Sequence, residues 1–344
     1  MAGGAGIRRS LVALTALALM ASAGAGEASA SAATSGWRKV VVAHAARGNF
    51  LSDIAAPSKD DAWAVGSYGR PGPLIWHWNG RRWKSVRTSA PPSFFGSIVE
   101  APTPNDVWIF GEVGATGLAL HWNGFGWQNI TLPIGARQSP GTVLGPADMW
   151  VQSEGRILYH WNGLSWQITR PSQLFYELFA AGGHLLGLAR TRYRPSNQTS
   201  VYVVYELTNG KWVRRLTLPR MQGGALTAAD SIHDIWFWGE VARRHRVETL
   251  YHWTGSRLTS VVVPHGFDDV SYQAFVTDGH GGAWLGPALH WTGHGWVRPS
   301  LADVQGGVPS ISLAAIPGTH STWLASGAGR GRVQSYVAID GPLP

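Results

Sequence analysis

The chain contains no cysteine, which excludes disulfides, thiolate metal sites and a lipidated N-terminal cysteine. Charge is also sparse: Asp, Glu, Lys and Arg make up 14% of 344 residues, with 20 acids against 28 bases. A hydrophobic content of 44% still marks a globular chain rather than a disordered one. No G-x-S-x-G, H-E-x-x-H, P-loop or Rossmann pattern occurs, so neither a catalytic residue nor a cofactor is assigned. No apolar run reaches the ~20 residues of a membrane span.

What the chain does have begins with a leader. Arg8 and Arg9 precede an apolar stretch from Leu11 to Ala21, and Ala28-Ser29-Ala30 fits a small-residue cleavage site, with Ala21-Ser22-Ala23 as an earlier option. Residues 1–30 therefore read as a secretory signal, 31–36 as a linker and 37–344 as the mature domain. The expected product is a secreted, extracellular monomer with no stable membrane insertion. Without the leader the balance is 26 bases against 19 acids, or +7, which favours acidic partners.

Two phrases recur along the mature part, and a repeat of this kind outranks other signals. One is Asp61-Ala62-Trp63-Ala64-Val65-Gly66, echoed at Asp106-Val107-Trp108, Asp148-Met149-Trp150 and Asp234-Ile235-Trp236. Weaker copies hold Trp284 and Trp323, and Leu185 is assigned the tryptophan's place in the fourth unit. The other is His77-Trp78-Asn79-Gly80 followed by Trp83, echoed at His121-Trp122 with Trp127, His160-Trp161 with Trp166, His252-Trp253, and His290-Trp291 with Trp296. Asn-Gly is a strong hairpin signal, because both residues tolerate positive φ. Each unit then reads as four short antiparallel strands, A to D. The span 37–344 divides into seven units of 44 residues, a propeller-blade length.

The expected fold is all-β: a seven-bladed β-propeller of four-stranded blades. The seventh unit lacks a strand D, and Trp37-Arg38-Lys39-Val40 resembles one without its blade. The N-terminal strand is therefore expected to close the last blade, leaving no free sheet edge. Of the 19 tryptophans, 17 fall on strands B, C and D, where flat indoles can fill the wedge between blades. The repeat residues Asp61, Trp63, His77, Trp78, Trp83, Asp106, Trp108, His121, Trp122 and Trp127 are accordingly assigned structural roles. The repeated histidines sit in separate blades and cannot converge on one metal ion. An Asp–His hydrogen bond between strands B and C is the expected use.

Short A–B and C–D turns share one face. The B–C loops and D–A linkers share the other and vary in content, as binding surfaces do. That variable face carries Arg190, Arg192, Tyr193 and Arg194 in unit four and Arg243, Arg244 and Arg246 in unit five. Arg330 and Arg332 follow in unit seven. The linkers add Phe94 and Phe95, Phe175 and Tyr176, and Asp268 with Asp269. Arginine with aromatics points to a glycan or acidic polymer, bound by bidentate and stacking contacts; nucleic acid is not expected as a partner of an exported chain. Glu100 and Glu177, read as equivalent residues of strand A near the axis, are a candidate carboxylate pair for a polysaccharide hydrolase or lyase.

The phrases Asp-Ala-Trp-Ala-Val-Gly and His-Trp-Asn-Gly-x-x-Trp resemble those of secreted propeller-repeat proteins of actinobacteria over residues 37–341. This resemblance implies fold and export and no particular activity. At His77, Trp78, Gly80 and Trp83 the sequence is also similar to seven-bladed bacterial fucose-type lectins, which implies a multivalent carbohydrate-binding alternative.

Overall fold

The computed structural model describes residues 36–42, 50–67, 72–133, 141–153, 156–241, 247–264, 274–304, 311–327 and 335–344. The leader lies outside these residues, as do Arg243, Arg244, Arg246, Asp268, Asp269, Arg330 and Arg332. The described chain is all strand and turn apart from one 3-10 turn at Pro195–Asn197. Among the described residues no helix is long and apolar enough to cross a membrane.

Among the described residues, six antiparallel sheets follow one another. The first sheet holds Phe50–Ser58, Asp61–Ser67, Pro73–Trp78 and Trp83–Ser85 in that order, each strand beside the next. The second (Phe95–Thr131) and third (Gly141–Thr169) repeat this plan, as does the sheet from Phe275 to Val297. In the last sheet Ile311–Ala315, Thr322–Ser326 and Tyr336–Asp340 are joined at the outer edge by Arg38–Val42 from the other end of the chain. That edge is fastened by Trp37, whose Nε1 donates to Pro287 O at 2.8 Å and whose ring meets Trp284 edge-on at 5.3 Å.

The remaining sheet departs from the four-strand expectation. It has seven strands, because Lys211–Ser231 runs unbroken for 21 residues. Its first part pairs with Thr199–Thr208 and its second with Asp234–Val241. Pro219 is accommodated where the register skips from Thr217 to Arg220, so its missing N–H breaks no ladder bond.

The repeated phrases meet as hydrogen-bonded triads. Asp106 Oδ1 accepts from Trp108 Nε1 and His121 Nε2, both at 2.8 Å, while the indole and imidazole stack at 3.9 Å. The same arrangement joins Asp61, Trp63 and His77. It recurs at Asp148, Trp150 and His160 and at Asp234, Trp236 and His252. A buried indole N–H and imidazole are thus satisfied by one carboxylate. In the sheet from Phe275, Gly282 stands where the aspartate would be. Asp278 reaches in from the turn to accept from His290 at 2.8 Å, through space that a Cβ on Gly282 would fill.

The fourth unit corrects the sequence reading. Leu186, not Leu185, holds the tryptophan's place, since it lies opposite Glu206 as Trp63 lies opposite His77. Acid and base are exchanged: His184 occupies the aspartate position and Glu206 the histidine position, 2.8 Å apart. Arg215 Nε also donates to Glu206 at 2.6 Å. Burial opposes ionisation of Glu206, but these two partners outweigh it and lower its pKa.

Indoles fill the wedges between sheets. Trp127 of the second sheet meets Trp63 of the first edge-on at 5.6 Å. Trp83 of the first meets Trp323 of the last at 5.2 Å, so the first and last sheets share a core with Trp78. The glycine ending the first phrase has a packing reason. A Cβ on Gly66 or Gly111 would stand 1.8 or 2.1 Å from the carbonyl oxygen of Phe50 or Phe95 on the neighbouring inner strand.

Candidate functional site

The innermost strand of every repeat contributes to one cavity of about 850 Å³, which extends to the short A–B turns. Its walls are mostly alanine, glycine and valine, and its ionisable lining is Asp53, Glu100, Asp230, Asp278 and His280. Asp53 Oδ2 accepts the Val99 N–H at 2.8 Å and Oδ1 the Ser312 hydroxyl at 2.5 Å, so one carboxylate ties three sheets together. Burial nevertheless raises its pKa to about 6, against these hydrogen bonds. Glu100, on the next inner strand, is raised to about 8 by burial and then by the charge of Asp53. Asp230 is raised by burial and takes the Thr277 hydroxyl.

Glu100 and Glu177 are not equivalent and do not form a pair. Glu100 lies opposite Trp108. Glu177 lies opposite Leu188, two residues past the tryptophan position, which is the place of Asp53 opposite Val65. Like Asp53, Glu177 bonds to the next inner strand, accepting from the Thr227 hydroxyl at 2.7 Å. Burial raises it to about 7 against that bond. Ile98, opposite Phe110, holds the place of Asp53 and Glu177 in the second sheet, so Glu100 lies two residues nearer the A–B turn than Glu177 does.

At the other end of the strands, the arginines read as a loop lie on a paired hairpin. His184–Arg194 and Thr199–Thr208 pair out to Arg194↔Thr199, with a register shift between Thr191 and Arg194. Arg190, Arg192, Tyr193 and Arg194 lie on its outer part, with the Arg190 guanidinium 5.1 Å from the Tyr193 ring centre. Arg190, Arg192, Tyr193 and Arg194 are all exposed, and Thr191 between them is half-buried. Arg220 on the adjoining strand donates to Arg192 O at 3.2 Å. Arg192 itself has φ 48, a left-handed backbone that turns the strand at its tip. Tyr176, 49% exposed, meets Tyr202 edge-on at 5.8 Å, and Tyr202 donates to Gly223 O at 2.6 Å.

Phe94 and Phe175 must be withdrawn as ligand contacts. Phe94 is 0% and Phe175 4% exposed. Phe94 packs in the core between the first two sheets, in space left by Gly96 and Gly111. Phe175 packs on Trp212 at 4.3 Å. Their neighbours Phe95 and Tyr176 are the exposed members of each pair. The positions that carry the lectin likeness are likewise taken up by packing: Trp78 is buried and its ring meets Trp83 and Trp323. Sequence reading missed Asp53, whose signal was a lone acid in an otherwise small and apolar inner strand.

No known family model matches the chain, and no curated protein matches it. Solved structures do. YCF48 bound to D1 peptide is 15% identical, with 88% of this chain and 96% of that chain covered and a TM-score of 0.56. The catalytically inactive virginiamycin B lyase from Staphylococcus aureus with quinupristin is 11% identical, covering 89% and 99%, with a TM-score of 0.60. The Pan2 WD40 domain of Neurospora crassa is 11% identical, covering 90% and 97%, with a TM-score of 0.56. At these identities the likeness is one of fold, and the chain is an all-β protein of propeller architecture.

Proposed function

We propose that the chain is an exported, seven-bladed propeller that binds an acidic glycan or cell-wall polymer through the unit-four hairpin. Three observations support seven blades. Lys211–Ser231 pairs on two sides in succession, as an outer strand running directly into the next inner strand would. Seven buried clusters can be assigned one to each junction between successive units, including last to first. Seven inner segments, from Asp53 to Ser312, line the one cavity. The leader supports export.

The observation that carries the binding reading is the basic, aromatic hairpin. Guanidinium groups recognise carboxylate, sulfate or phosphate through paired donors, and exposed tyrosine rings offer faces to sugars. Strand pairing at Arg190 and Arg194 and the bond from Arg220 to Arg192 O hold the three arginines at lower entropic cost than a loose loop would. The propellers of similar shape include one bound to a peptide and one with quinupristin, so ligand binding is compatible with the architecture.

Affinity electrophoresis through polygalacturonate tests the reading. The protein should be retarded, the retardation should fade with salt, and neutral dextran should have no effect. Arg192→Ala with Arg194→Ala should abolish most of it. Equal retardation of the double variant, or none for the unaltered protein in polygalacturonate or teichoic acid, refutes it.

A further inference from the structure

The axial cavity lies at the end away from that hairpin, and its electrostatics run against the rest of the chain. The protein carries a net +8, yet among the described residues four carboxylates line the cavity and neither lysine nor arginine does. Three of the four already have hydrogen-bond partners: Asp53, Asp230 and Asp278, which accepts from His280 N, Gly282 N and His290. Glu100 is the exception. It is half-buried and lines the cavity, and no hydrogen bond reaches its carboxyl among the described residues. A partly desolvated carboxyl without a partner is costly, and Asp53 beside it adds like-charge repulsion.

The acids sit at different depths. Glu100 is level with its cross-strand tryptophan. Asp53 lies two residues further in, and Asp230 two residues nearer the turn than Ala228, the residue opposite Trp236. At strand spacing, Asp53 and Asp230 are separated by about 13 Å along the inner strands. Between them the wall is alanine and valine, suited to methylenes rather than to a hydrated ion. Among the described residues no three acids or histidines are grouped to hold a metal.

We propose that this cavity is a binding site for a linear aliphatic polyamine. One ammonium docks between Glu100 and Asp53, and a second reaches Asp230 near the mouth. An ammonium brings three donors, so it supplies the partner that Glu100 lacks and neutralises the repulsion with Asp53. Asp278 and His280 face the same space from the turn; Asp278 is engaged by His290, leaving Asp230 as the outer contact. Glu100 gives up its proton to solvent as the cation enters, and no bond to the ligand forms.

Isothermal titration of the purified protein with spermidine at pH 7.5 and moderate salt tests this. Saturable one-to-one binding is expected, with close to one proton released, read from two buffers of different ionisation heat. Hexane-1,6-diol should give no binding. Glu100→Gln should weaken spermidine at least tenfold and remove the proton release, and Asp230→Asn should weaken it without removing that release. The Arg192→Ala, Arg194→Ala protein should bind spermidine normally, which separates this site from the polymer-binding face. No saturable binding by the unaltered protein, or unchanged affinity in both acid variants with their folded circular-dichroism spectra intact, overturns the proposal.

Discussion

Replacing Glu100 by glutamine should make the protein more stable above neutral pH and leave it unchanged in mild acid. In the folded protein burial and Asp53 hold the Glu100 pKa near 8, against an ordinary 4.5. Between those values the folded state keeps a proton that the unfolded chain has lost. Stability therefore falls as pH rises through this window, the loss being absent below about 4.5 and complete above about 8. A difference of this size corresponds to about 5 kcal/mol, shared in part with Asp53, because the two carboxyls titrate together. Glutamine cannot ionise, so its pH profile should be flatter. At pH 9 the variant should exceed the unaltered protein by several kcal/mol, or roughly 10 °C in melting temperature; at pH 4.5 the two should agree within about 1 kcal/mol. Asp53 and Glu177 are raised in the same direction, but both remain in the variant and largely cancel in the comparison. Urea unfolding from pH 4.5 to 9 measures the difference directly. Parallel pH profiles for the two proteins would show that Glu100 is not held protonated, and the account of the cavity would fail with it.

Three further outcomes follow from the packing. Asp106→Ala strands the indole N–H of Trp108 and the buried His121, and should cost about 3 kcal/mol in urea unfolding, whereas Asp148→Ala, at a half-exposed carboxylate, should cost about 1 kcal/mol. Gly111→Ala drives a methyl to within 2.1 Å of Phe95 O and should destabilise by about 2 kcal/mol or more, while Gly126→Ala, with nothing near its Cβ position, should be close to neutral; equal melting curves for the two would contradict the close approach. Trp37→Ala removes both the bond to Pro287 and the ring contact with Trp284; a loss of about 4 kcal/mol is expected, and an unchanged melting temperature would mean that the N-terminal strand does not secure the last sheet.

The repeat was legible because each phrase couples a hydrogen-bonding need to a packing need. Asp61, Trp63 and His77 recur together since the carboxylate satisfies both rings at once, and substituting one leaves the others unpaired. Where the couple is rewritten the reading slipped. With no tryptophan in the fourth unit, Leu185 and Leu186 look alike in sequence, and only the pairing of Leu186 with Glu206 decides between them. The exchange of acid and base at His184 and Glu206 preserves the bond while erasing the phrase. Phe94 with Phe95, and Phe175 with Tyr176, show the same limit in the candidate site: one member of each adjacent pair is buried and the other exposed, and only the placement of the strand start at Phe95 or Phe175 decides which.

By itself the order of residues determined the all-β class, the four-strand period and the meeting of the two chain ends, because alternation, turn chemistry and a missing strand are local or countable properties. Tertiary structure alone decided which acids share a space. Asp53, Glu100 and Asp230 come from different repeats, and their cross-strand partners set how deep each one lies. The small side chains lining the axis leave a cavity that gathers these carboxylates apart from the arginines of the described chain. Proximity and desolvation of this kind are properties of the assembled sheets, and no spacing along the chain encodes them.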